Sequence, residues 1–190
     1  VREVTIEQIV TESLQGLARM RVLVNGLSKD QLLWKPSPGS WSIAECLQHL
    51  NSTLNLYDKA LRITFERERQ NSPLAPSTFR VGFIASKMIA FMEPPYRMKS
   101  KAIEAIQPSP YLDPEAVIQE YATRREALLD FAKDAARVDM SSIRIKSPIL
   151  QILKLSITES LLVLLSHDRR HLWQAENVRT NAAFPKSTAH

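Results

Sequence analysis

His167 and His171 stand four residues apart in the stretch from Leu161 to Asn177, which contains neither glycine nor proline. On a helix that spacing sets two side chains about 40° apart in projection and one turn apart in height, so both imidazoles can reach one point. His49 lies far upstream in a second breaker-free stretch, beside Cys46, Leu50 and Thr53. Neutral imidazole is a good ligand for zinc, nickel, iron or manganese, at about 2.0–2.1 Å for zinc. If two helices bring the three rings together, they offer one divalent ion three ligands and leave a coordination position open, as catalytic sites do. The competing account makes each histidine a core residue satisfied by a backbone carbonyl, or places the pair half exposed at a helix edge. An isolated H-x-x-x-H also lacks the glutamate that makes H-E-x-x-H informative. The metal expectation fails if the ring of His49 stands more than about 8 Å from the other two, since zinc coordination spans roughly 4 Å.

The neighbours of these histidines carry weaker signals. Cys46, three residues before His49, points to nearly the same side, and its thiolate would close the site as a fourth ligand; a buried structural thiol is the commoner use of such a residue. Trp41 and Trp173 either line the site or anchor helix ends by packing. Asp168 points about 100° from His167 and reads as an ion-pair partner for Arg or Lys rather than a general base. Tyr96-Arg97-Met98-Lys99-Ser100-Lys101 gathers three cations, either to hold an anionic substrate or as a solvated loop. No Ser/His/Asp order, phosphate-cradling glycine loop or paired-carboxylate motif supplies an agent for chemistry without the metal.

These side chains need long helices to position them, and four are expected. The first spans about Thr5 to Gly26, with Ile6, Ile9, Leu14, Leu17 and Met20 on one face. After the turn Lys35-Pro36-Ser37-Pro38-Gly39-Ser40, Ser42-Ile43-Ala44-Glu45 is a capping box that opens a second helix running to about Gln70. Six of the eleven prolines then fall between Pro73 and Pro110, a connection with room for a shorter helix from Phe79 to Met92. Asp113-Pro114-Glu115 caps a third helix ending near Ala136, and the box Ser156-Ile157-Thr158-Glu159 starts a fourth that ends near Thr180. On that last helix Ile157, Leu161, Leu164, Ala175 and Val178 share the histidine face, which turns the rings toward the bundle interior. The expected fold is therefore all-α, a single domain over residues 1–181 with a mobile tail at 182–190.

Composition narrows the partners. The net charge of +5 invites nucleic acid, but Glu66, Arg67, Glu68 and Arg69, and likewise Glu120, Arg124, Arg125 and Glu126, mix their signs as a solvated helix face does. Nucleic-acid binding is not expected on this pattern. One cysteine excludes an internal disulfide and suits a reducing compartment. Glu3 and Glu7 interrupt any secretory signal, and the run Leu161 to Leu165 is too short for a span of about 20 residues, so a cytoplasmic protein without a membrane partner is expected.

Two segments together carry a family resemblance. Trp41-Ser42-Ile43-Ala44-Glu45-Cys46-Leu47-Gln48-His49-Leu50 and His167-Asp168-Arg169-Arg170-His171-Leu172-Trp173-Gln174 resemble the signature segments of the DinB/YfiT-like superfamily. The resemblance implies a four-helix bundle of down-up-up-down type with a long proline-rich connection between its second and third helices, often assembled as a homodimer. Its metal ligands, carried over residue by residue, would be His49, His167 and His171; the family usually has an aliphatic residue where Cys46 stands. Members with assigned activities include thiol-dependent S-transferases and a mycothiol-dependent isomerase, and others are described only as metal-dependent hydrolases. A divalent metal, a small-molecule substrate and a low-molecular-weight thiol or a water as the attacking group are the implied expectations. The rival is a noncatalytic metal-binding stress-response dimer whose ion ties two helices together.

Overall fold

The computed structural model describes residues 2–95 and 103–186. Among the described residues six α-helices form, all but α4 opening on a side-chain cap: α1 (Ile6–Val24), α2 (Lys29–Leu33), α3 (Ile43–Glu68), α4 (Phe83–Met92), α5 (Pro114–Ala135) and α6 (Ile157–Arg179). Thr5, Ser28, Ser42 and Ser156 each close a capping box, and Asp113 caps α5 ahead of a proline in its first turn. Gly26, with φ of +73°, turns the chain out of α1 in a conformation that glycine adopts without strain.

The long helices α1, α3, α5 and α6 make the bundle. Arg169 pairs with Glu12, Arg19 with Glu176, and Arg179 with the carbonyl of Val22, so α1 and α6 run parallel. Asn51 reaches the carbonyl of Val117, Arg124 reaches Asn55 and Phe65 meets Phe131, so α3 and α5 are parallel too. The start of α3 packs with the end of α6, and the end of α3 with the start of α6. The connectivity is thus down-up-up-down. Two consecutive parallel helices need a chain that travels back the length of the bundle; the connection between α3 and α5 makes this return, and its helix α4 leans on α6.

Each helix changes character at one level. Below it, Leu54, Leu61, Phe131 and Leu161 belong to one apolar cluster; above it, Leu17, Leu47, Leu50 and Leu172 belong to a second. Between them lie Ser13, His49, Asn51, Thr53, Arg125, Ser166, Asp168 and His171, all buried and polar. The bundle therefore carries a polar belt across its middle.

The structure departs from the sequence expectation in local places. The segment Phe79 to Met92 is not one helix: Phe79–Val81 (β2) pairs antiparallel with Arg2–Val4 (β1), and helix begins only after Gly82, whose N–H is taken by Glu159 at 2.9 Å. A second small antiparallel pair joins Arg144–Lys146 (β3) to Lys154–Ser156 (β4). The all-α reading is thus trimmed by strands of three residues each, too short for a period to register. On α1, Leu14 is half exposed and Gly16 takes the inward place, because Asp168 approaches where a side chain would stand. Arg125, expected in a solvated stripe, is buried, although Glu120 and Arg124 pair outside at 2.7 Å as anticipated. From the tail, Phe184 packs edge-on against Trp34 and the carbonyl of Pro185 accepts from Gln31. Among the described residues no helix is long and apolar enough to cross a membrane.

Candidate metal centre

The first ring of the centre depends on how α3 begins. Ser42 Oγ accepts from the Glu45 N–H, Glu45 Oε2 accepts from the Ser42 N–H at 2.8 Å, and Lys35 Nζ clamps the same carboxylate at 2.6 Å. That start phases the helix so that His49 faces α6 two turns later, where it is 3% exposed. The box at Ser156 phases α6 in the same way, turning His167 and His171 toward α3.

The three rings converge. Their centroids are 5.0 Å apart for His49 and His167, 4.5 Å for His49 and His171, and 4.6 Å for His167 and His171. One nitrogen from each lies within 4.8 Å of the others. Two ligands at about 2.1 Å from a tetrahedral ion would sit roughly 3.4 Å apart, so adjustments of an ångström or so bring all three to one ion.

Hydrogen bonds on the outer side of two rings determine which nitrogens face inward. His49 Nδ1 lies 2.7 Å from the carbonyl of Ile106, which can only accept, so Nδ1 carries the proton and Nε2 presents a lone pair. His171 Nδ1 is 2.9 Å from Gln174 Oε1, with the same consequence. This is the outer support that ligating histidines need. His49 Nε2 and His167 Nε2 stand 3.2 Å apart. Since His49 Nε2 is the acceptor, His167 Nε2 donates to it in the metal-free protein, and the other neutral tautomer of His167 turns a second lone pair to the same point, which is the donor set a cation needs.

Burial also keeps the rings neutral. Desolvation holds the proton affinity of His49 below its ordinary value, and that of His167 well below, with His171 and His49 adding repulsion to the latter. His171 is pulled down to about 3, first by burial and then by His49 and Arg170. Neutral imidazole is the ligating form, so at neutral pH no proton has to be removed first. Trp41 packs against two of the rings, its own ring centroid 4.7 Å from that of His49 and 5.6 Å from that of His171.

Other residues singled out in the sequence fall elsewhere. Cys46 lies fully buried among apolar side chains, outside the histidine group, and burial pushes its thiol pKa upward, so it does not offer a thiolate. Asp168 turns away from the rings and pairs with Arg125 at 2.6 Å, as its position on the helix implied. The cationic segment from Tyr96 to Lys101 lies outside the described residues. Sequence reasoning missed the carbonyl of Ile106, which comes from a short turn of the long connection and carries no side-chain signal. It also missed Gln174, although its place three residues after His171, one turn along the same face, was a usable clue.

Comparison with known proteins adds one finding. Residues 14–175 match a family model described as the DinB superfamily, a span that holds all three histidines. No curated protein and no solved structure matches the chain.

Proposed function

The chain belongs to the DinB superfamily, and from that premise we propose that it is a metal-dependent enzyme acting on a small electrophile, with His49, His167 and His171 holding one divalent ion. Zinc, nickel, iron and manganese all suit an imidazole donor set. The observation that carries the reading is the convergence of one nitrogen from each of three rings within 4.8 Å, backed by two rings, His49 and His171, whose outer nitrogens are already committed to Ile106 and Gln174. A bound ion would stabilise the deprotonated form of a thiol or a water and so supply the attacking group near neutral pH.

The chain's own residues do the rest. Ile106 and Gln174 fix ring orientation, burial keeps the imidazoles unprotonated, and Trp41 limits access of water to two of the rings. Thiol transfer is favoured over hydrolysis on family likeness, and among the described residues no carboxylate joins the histidine group to serve as a base for water. The proposed assembly is a homodimer, to be checked by sedimentation.

The test is elemental analysis of protein purified without an affinity tag, followed by activity screening with thiols and electrophiles in parallel with ester and amide hydrolysis. About one ion per chain is expected in the wild type and a large loss in His49→Gln, His167→Gln and His171→Gln, with thiol-dependent turnover vanishing in the same variants. Metal content that does not respond to any of the three substitutions would rule out the centre.

A further inference from the structure

A dication among three neutral imidazoles brings two positive charges into a half-closed site, and the histidine group includes no carboxylate. Arg170 adds a cation whose field reaches all three rings. The residue after His167 on α6 is Asp168, 3% exposed, and its Oδ1 lies 2.6 Å from Nη2 of Arg125, itself 4% exposed. The second oxygen of Asp168 accepts from the Tyr121 hydroxyl at 2.7 Å. Arg125 Nε and Nη1, like Asp168 Oδ1, are buried without a hydrogen-bond partner among the described residues, so the two side chains meet as an ionic contact in which Asp168 is the counter-charge to this guanidinium. The pair spans the middle of the bundle from α5 to α6, in the same polar belt as the histidines.

We propose that the buried Asp168–Arg125 pair is the charge balance of the metal centre: Asp168 cancels the guanidinium so that a dication is tolerated between the rings. The inference rests on the three-histidine reading above. Its physical basis is that charges in a poorly solvated interior act on one another far more strongly than in water. Asp168 follows His167 on α6 and holds Arg125 at 2.6 Å, so both charges lie in the buried layer that contains the ligand set. With the carboxylate neutralised, an uncompensated guanidinium would repel the ion; with both charges removed, the repulsion would go.

This predicts effects of opposite sign, which a merely structural role would not produce. Zinc affinity is measured on the full chain by competition with a chromophoric chelator at one fixed pH near neutrality, with circular dichroism confirming the fold of each variant. Asp168→Asn is expected to bind zinc roughly tenfold to a hundredfold more weakly, the scale of losses from groups that support ligands. Arg125→Gln should bind at least as tightly as wild type, and the double variant should return close to wild type. If Asp168→Asn does not fold, the other two decide, since weaker binding by Arg125→Gln contradicts the proposal. Equal affinity in wild type and Asp168→Asn, or losses of the same size in both single variants, overturns it. Wild-type protein that binds no zinc overturns the metal centre itself, a result distinct from these.

Discussion

At the scale of single residues, the three histidines are set apart by how little they want a proton. The folded-state pKa of His171 is about 3, with burial as the main cause, whereas in an unfolded chain the same group titrates near 6.5. As pH falls, the unfolded state therefore takes up the proton first. The stability that depends on the neutral ring is complete above about pH 6.5 and is lost progressively as pH falls toward the folded value, at a limiting rate near 1.4 kcal/mol per pH unit for one such group. His49 and His167 shift in the same direction. Metal-free wild type should consequently lose stability between neutrality and about pH 5, and His171→Gln should lose distinctly less over the same interval. Chemical denaturation of chelator-treated protein across that range checks this; parallel curves for the two proteins would contradict it.

Helices are placed by what they must approach, and Gly16 shows how far this departs from propensity. In the middle of α1, replacing glycine with alanine normally gains about 0.8–1 kcal/mol. Here an added Cβ would lie 2.7 Å from Asp168 Oδ2. That oxygen cannot swing aside cheaply, because Tyr121 holds it at 2.7 Å and Arg125 holds its twin at 2.6 Å. Gly16→Ala is expected to destabilise by a net of about 1–3 kcal/mol through overpacking, read as a lower urea midpoint with an unchanged slope. A stabilised variant would mean that α1 and α6 separate easily at this level. The same reasoning covers the crossover: because α3 and α5 run parallel, the chain must return along the bundle, and on that return it delivers the Ile106 carbonyl to His49.

For the molecule as a whole, the polar belt lies between two apolar clusters that contain none of the histidines. Since the apolar clusters exclude the rings, the proposed catalytic reading predicts that the bundle keeps its fold when the ion is removed. Removing metal present at about a hundred times its dissociation constant withdraws roughly 2.7 kcal/mol, or about 5–10 °C in Tm for a chain of this size, while helical circular dichroism persists. A noncatalytic ion whose task is to tie α3 to α6 would instead take much of the fold with it. Thermal melts with and without chelator separate the two.

What the sequence determined by itself was everything encoded at short range. The capping boxes at Ser42 and Ser156, the proline-marked start at Pro114 and the four-residue spacing of His167 and His171 are consequences of helical geometry, which repeats over a few residues and is legible in any window of that width. With the resemblance carried by two segments, this was enough for the bundle and for the histidine trio. The strands of β1 to β4 escaped because three residues carry no usable period, and Arg125 was misplaced because a charged residue on α5 gives no sign of a carboxylate waiting on α6. The tertiary structure alone decided that Gly16 rather than Leu14 faces inward, that Ile106 orients His49, and that an ion pair crosses the belt beside the rings. Each of these depends on groups far apart in the chain meeting at hydrogen-bond distance, and only the packing of the helices sets that distance.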